Sequence, residues 1–165
     1  ENISWILEMY KPGSKIFVWA HNNHISRGDH PDNEVNIYSG ISMGSHLSKK
    51  YGKNYKAFGL STYKGEYWAQ VSYSNFKMMS CPLYEAPEGS LDKTLHQISN
   101  IKNTQVLLLD LKNARDQLWF TRPIPERFAN HVNIEYGYWT QFSIPYQYDG
   151  IFFIDITTSA KSYAK

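Results

Sequence analysis

Apolar residues in the opening stretch, ENISWILEMY, recur at helical spacing: Trp5, Ile6 and Met9 share one face, with Ile3 and Tyr10 beside it. Lys11-Pro12-Gly13 predicts the end of that helix. The pattern then changes. Residues 16–20 (IFVWA) form a short, β-rich apolar run with the composition of a strand buried on both faces. His21-Asn22-Asn23-His24 interrupts it, because paired asparagines favour turns and left-handed backbone. Further on, Ser42 is placed to cap a helix in which Met43, Leu47 and Tyr51 recur every fourth residue, with Gly52 at its end. Residues 55–60 (YKAFGL) predict a second strand, 62–65 a turn or bulge, and 66–73 (EYWAQVSY) one strand of a hairpin. Residues 75–85 are apolar without a decided period, and Pro87-Glu88-Gly89 closes them. Ser90 predicts an N-cap, Asp92 complements the helix dipole, and Leu91, Leu95 and Ile98 give the buried stripe. Residues 105–111 (QVLLLDL) are continuous and apolar, and predict a central parallel strand. One or two helical turns follow over 113–120. Pro123, Pro125 and Pro145 break 122–149, and 151–156 (IFFIDI) form the closing strand. The order predicts an α/β fold: a mostly parallel central sheet with helices on its faces.

The end of the first apolar run has chemical consequences. On a continuing strand, residues three apart point to opposite sides and cannot share a substrate. If the backbone turns after His21, the imidazoles of His21 and His24 converge above the strand's end, where open α/β sheets place ligands. About twenty residues then separate Asn22 from the next helix, against roughly 2–6 in ordinary βα connections. This connection carries Arg27, Asp29, His30, Asp32 and Glu34. The plainer alternative is a polar surface loop whose histidines merely orient it.

Composition narrows the classes. The chain has 165 residues, enough for one domain, and a net charge of +2, without the basic excess of a nucleic-acid binder. Aromatic residues make up 16%, which argues against disorder. A lone cysteine, Cys81, excludes an internal disulfide framework; it precedes a proline in an apolar stretch and reads as a packed thiol. No apolar run approaches the length of a membrane span, and the compartment stays open. An opening already in helical register fits a piece of a longer polypeptide.

Three chemistries suit these residues. An imidazole, with a reference pKa of about 6.5, can act as a general base worth roughly 10²–10⁴-fold, with Arg27 or the second histidine stabilising the oxyanion. His-x-x-His with Asp29, His30, Asp32 or Glu34 could hold a divalent metal, although no cysteine or HExxH helix supports it; the reading carries no metal and no cofactor. Residues 40–44 (GISMG) match a nucleophile elbow in outline, but a polar loop leads into them, so Ser42 reads better as a helix cap. The aromatic residues of 119–148, Trp139 among them, suit either a large apolar ligand or a cover for the sheet edge. Asp110 and Asp155 end apolar strands, so each could point into the same cleft.

The segments WAHNNHIS, SMGSHL, YKAFGLSTYKGEYWA, APEGSLDKTL, LLLDL and YDGIFFID, in that order, resemble the C-terminal half of the erythromycin esterase family. That family comprises macrolide esterases of antibiotic resistance and many bacterial homologues. The resemblance implies attack of water on a lactone or other ester, without a covalent serine or cysteine intermediate. It places His21 and His24 at the family's HNxH positions. Arg27 and Trp139 are the candidate substrate contacts from the residues themselves. The implied partners are a small-molecule ester and the missing N-terminal half of the same protein, without which this chain is expected to be inactive. A metal-dependent hydrolase and a non-catalytic binding fragment are the alternatives.

Overall fold

Capping residues fix the helices of this protein. A computed structural model describes residues 2–28, 42–118, 122–128, 133 and 138–160. Helix α1 spans Asn2–Met9, and Gly13, at φ +86°, follows it in the left-handed region. A single turn, α2, covers Asn22–Ile25. The Ser42 hydroxyl accepts the Ser45 amide and starts α3 at Met43–Tyr51, and Ser90 does the same for α4 at Leu91–Ile101 through Lys93. Both caps follow the sequence prediction.

The strands depart further from it. Residues 55–73 do not divide into strand, turn and strand. They form one long strand, β1 (Phe58–Ser72), which passes through the predicted turn at Gly65. Gly65 is where β1 changes partner: it pairs with Thr157 on one side and Leu83 on the other. At φ +135° its Cα lies against the Thr157 backbone, a position that excludes a side chain. Strand β2 (Asn75–Leu83) returns antiparallel along the second half of β1. Strand β3 (Val106–Asp110) is an edge strand antiparallel to β6 (Gly150–Thr157), and β6 lies between β1 and β3. The sheet order is therefore β2-β1-β6-β3, with β1–β6 its parallel pair. The α/β class holds, but the sheet is mostly antiparallel and QVLLLDL is not central. Two features cause this: a two-residue hairpin reverses β1 into β2, and β3 runs back against the strand that closes the sheet.

A separate ribbon, β4 (Ile124–Phe128) with β5 (Tyr138–Phe142), and a short helix α5 (Ile144–Gln147) occupy the region predicted as irregular. Between them, β4 and α5 bring Ile124 and Ile144 onto one face of the sheet. There Leu91, Leu95, Tyr63, Tyr148, Ile151 and Phe153 complete the core. Cys81 is buried with no disulfide, as its surroundings predicted.

The opposite face differs. Phe58 and Leu60 of β1, Phe152 and Ile154 of β6, and Val106 and Leu108 of β3 stand side by side in the registered rows, each 38–59% exposed. Residues 16–20 have no strand partner among the described residues, and Phe17 and Trp19 are more exposed still. The predicted doubly buried first strand is thus a solvent-facing segment: its side chains alternate as a strand's would, but no backbone among the described residues takes up its amides. Likewise α1 forms, but of its predicted apolar face Ile6 is half-buried while Trp5 and Met9 stay exposed.

Candidate active site

The backbone does leave its extended path at His21. With φ −59° and ψ 148°, His21 is the N-cap of α2, and its Nδ1 accepts the Asn23 amide at 3.3 Å. The His24 amide donates to the His21 carbonyl at 2.9 Å, closing the turn. Both imidazoles come out on the exposed side, with ring centroids 6.3 Å apart and planes at 72°. They converge because a helical turn places residues three apart on one face, where a strand would have separated them.

Asn22 points the other way. Its side chain donates to the Leu60 carbonyl at 2.7 Å and accepts the Leu60 amide at 2.9 Å. In a parallel pair each residue directs both backbone groups to one side, so Leu60 presents its pair to the β1 edge away from β6. Ladder β1–β2 begins only at Gly65, and the Asn22 amide fills the place of the missing neighbour strand. The histidine turn is therefore seated near the start of β1, not above a C-terminal strand edge as the sequence suggested.

The same Asn22 nitrogen also donates to Glu126 Oε1 at 3.1 Å. Glu126, on β4, is fully enclosed, and its Oε2 has no hydrogen-bond partner among the described residues. Burial pushes its carboxyl up to about 8, with a further contribution from the neighbouring Asp92 carboxylate. Asp92, buried at the start of α4, accepts Ser61 Oγ at 2.8 Å and the Arg127 amide at 3.1 Å; desolvation raises its pKa too. Nothing in the sequence pointed to Glu126, because a lone glutamate in a proline-broken stretch carries no periodicity. Only the β4–β5 register places it under the turn.

Helix α3 holds the turn from the other side. Ser42 Oγ donates to the Ser26 carbonyl at 2.7 Å while capping its own helix. A Cβ at Gly44 would overlap the carbonyl oxygens of Ile25 and Ser26, so only glycine lets α3 approach so closely. Gly44→Ala is expected to destabilise the chain by roughly 1–3 kcal/mol, because backbone cannot yield as side chains do and the gain in helix propensity is at most about 1 kcal/mol. Urea unfolding curves of the two proteins check this.

Arg27 is 9% exposed and ion-paired with Asp149. Burial pushes the Asp149 carboxyl up, but the Ala57 amide, Arg27 and Lys56 outweigh it and hold it below the usual carboxylate range. Arg27 Nη1 is enclosed without a partner among the described residues. Arg27, Tyr55, Lys56 and Asp149 line an open hollow of about 300 Å³. Trp139 is half-buried against the core, its ring 4.6 Å from the Arg127 guanidinium. The two imidazoles are thus brought together, whereas Arg27 and Trp139 are engaged in contacts of their own.

The two strand-end aspartates are not in this cleft. Asp110 accepts the Lys112 amide at 2.9 Å in a turn, and Asp155 pairs with His96 at 2.6 Å. Because β3 runs antiparallel to β6, Asp110 lies beside Gly150, at the opposite end of β6 from Asp155. Among the described residues no three metal-ligating side chains gather. Asp29, His30, Asp32 and Glu34 lie outside those residues, as do Trp119, Phe120 and Tyr136.

A family model described as "Erythromycin esterase" matches residues 1–157. The chain belongs to the erythromycin esterase family. A Bacillus subtilis (strain 168) protein of curated name "Putative hydrolase YbfO" is 26% identical over 161 residues, which is 96% of this chain and 33% of that protein. A crystal structure titled as a succinoglycan biosynthesis protein superposes with a TM-score of 0.74 at 23% identity, covering 94% of this chain and 36% of that one. A Bacillus cereus protein gives 0.68 at 20% identity, over 85% and 33% of the two chains. An open-conformation mutant of the erythromycin esterase EreC gives 0.58 at 15% identity, over 96% and 35%. These solved structures share the fold. The chain spans about a third of the length of the relatives it matches. Membership in the erythromycin esterase family suggests hydrolase activity, and no helix among the described residues is long and apolar enough to cross a membrane.

Proposed function

We propose that this chain carries the histidine half of a hydrolytic site at which water attacks a carboxylic ester, with a macrolactone as one candidate substrate. The observation that carries the reading is the gathering of His21 and His24 on one exposed face, 6.3 Å apart, on a turn tethered at both ends. One imidazole takes the proton of the attacking water and the other lies against the oxyanion as it forms. No covalent enzyme intermediate is invoked: Ser42 is committed as a helix cap and Cys81 is buried. Arg27, ion-paired with Asp149, lines the hollow beside Tyr55 and Lys56, and Trp139 packs on Arg127; in this reading both hold the ligand and neither reacts.

We infer further that the site is completed by polypeptide of the same protein outside residues 1–165. What supports this is the apolar face of β1, β6 and β3, which monomeric proteins rarely leave open, together with the share of the relatives' length that this chain spans. In this reading that polypeptide covers the face and residues 16–20 and supplies the remaining groups of the cleft.

The test is an ester-hydrolysis assay on residues 1–165 and on an extended polypeptide of the relatives' length, with erythromycin and a p-nitrophenyl ester as substrates. Turnover is expected from the extended protein alone, with ring-opened product gaining one water by mass spectrometry. Failure of the extended protein to hydrolyse either ester would overturn the hydrolytic reading, and turnover by residues 1–165 would overturn the need for a second half.

A further inference from the structure

Glu126 is a buried acid that the hydrolytic chemistry does not use, and it faces the turn that bears the two imidazoles. We propose that Glu126 and Asn22 form a positioning pair: the enclosed Glu126 carboxyl fixes the Asn22 amide against β1, and that amide sets the placement of His21 and His24. The proposal rests on the hydrolytic reading for its functional meaning, but the coupling itself is a property of the fold.

The geometry carries it. Asn22 lies between the two histidines in sequence and on the opposite side of the turn in space. Its amide makes three hydrogen bonds, two to Leu60 and one to Glu126. Both Asn22 bonds to Leu60 could survive without Glu126. Its carboxyl is nevertheless the contact that ties the turn to the β4–β5 ribbon as well as to β1, so the turn is fixed from two elements at once. An enclosed carboxyl with an unpartnered oxygen is costly unless it is protonated. Its charged and titratable neighbours are Asp92 at the head of α4, Arg127 beside it on β4, and Tyr148 after α5. Arg127 directs its guanidinium to the Tyr63 and Tyr84 carbonyls, 2.9 and 2.5 Å away, rather than to Glu126. Among the described residues no cation is hydrogen-bonded to Glu126 to compensate a negative charge there. A neutral acid can serve as a passive acceptor toward Asn22, and its enclosed oxygen keeps it out of contact with substrate. Glu126 acts through Asn22, as a positioning residue.

The test follows the assigned imidazole signals of His21, His24 and His96 by NMR as pH is varied. His96, hydrogen-bonded to Asp155 and stacked on Tyr63, makes none of the turn's bonds and reports overall fold integrity. Asn22→Ala breaks the clasp from the surface side, Glu126→Met removes the acceptor at similar length, and Glu126→Gln keeps a neutral acceptor. Asn22→Ala and Glu126→Met are expected to displace the titration curves of His21 and His24 and leave His96 unchanged; Glu126→Gln is expected to restore the wild-type curves. In the extended protein the first two variants should lower kcat about 10²-fold, as a misplacement near 1 Å does, with Gln again restoring it. The proposal fails if Asn22→Ala or Glu126→Met leaves both imidazole curves unchanged, or if Glu126→Gln disturbs them. Should Glu126→Met not fold, Glu126→Leu, which also removes the acceptor, takes its place under the same criterion. Coupled imidazoles without ester turnover would retain this coupling and remove only the hydrolytic reading.

Discussion

Replacing either His21 or His24 by alanine in the extended protein is expected to lower kcat by about 10²–10⁴-fold, the usual worth of a general base, while KM changes little. The reason is placement: both rings are exposed and neither is needed to fill the core, so the fold survives the loss. His21 has a second duty, since its Nδ1 caps α2 by accepting the Asn23 amide. Alanine there costs a further 0.5–2 kcal/mol or so of stability from the lost cap. Asparagine separates the two effects, because its side-chain oxygen caps as well as any residue but holds no titratable proton. His21→Asn should keep the stability of the parent and show the same fall in kcat. If the two imidazoles act as a unit, the double variant will be scarcely worse than the poorer single one. Steady-state kinetics on the four proteins decide this, and wild-type kcat in His21→Asn would remove that imidazole from the chemistry.

Stability is expected to fall as pH rises from about 5 to 8, and Glu126→Gln is expected to abolish most of that fall. Glu126 is raised from its usual 4.5 to about 8 by burial, then by Asp92. Between those values the unfolded chain releases this proton and the folded chain keeps it, so the native state binds more protons. The stability contributed by the tighter proton is complete below about 4.5 and is lost as pH climbs through 8. The whole displacement is worth on the order of 5 kcal/mol, and its slope cannot exceed about 1.4 kcal/mol per pH unit for one group. Asp92 is shifted in the same direction and adds to the fall. Asp149 is shifted the opposite way, so the stability it contributes disappears only on acidification through the lower carboxylate range, outside this window. Urea unfolding at pH 5 and pH 8.5 measures the effect. A wild-type protein no less stable at pH 8.5, or a glutamine variant with an unchanged slope, would contradict it.

What could be read from the chain followed from local chemistry. Ser42 and Ser90 announce their helices because a hydroxyl before a helical repeat satisfies a free amide wherever the fold takes it. His21-Asn22-Asn23-His24 announces a turn for a similarly local reason. Strand placement did not follow, since QVLLLDL looks the same whether buried in the middle of a sheet or lying at its edge with Val106 and Leu108 exposed. Gly65 was legible as an irregularity but not as the crossing point between two partner strands. That depends on where Thr157 and Leu83 arrive. Residues 16–20 carry the composition of a strand, but composition does not say whether a partner strand stands beside them, and none does among the described residues. Glu126 was beyond the reach of sequence altogether, because its meaning arises from a contact across 104 positions to Asn22.

The turn puts its amide inside and its two imidazoles outside within four consecutive residues. An insertion between Asn22 and His24 would swing the second ring through about 100° around the helical axis, away from the first. A deletion would swing it as far the other way. In this chain the length of the tetrapeptide is therefore a stricter requirement than the identity of Asn23, whose side chain makes none of these bonds. Position 23 can drift; the count cannot.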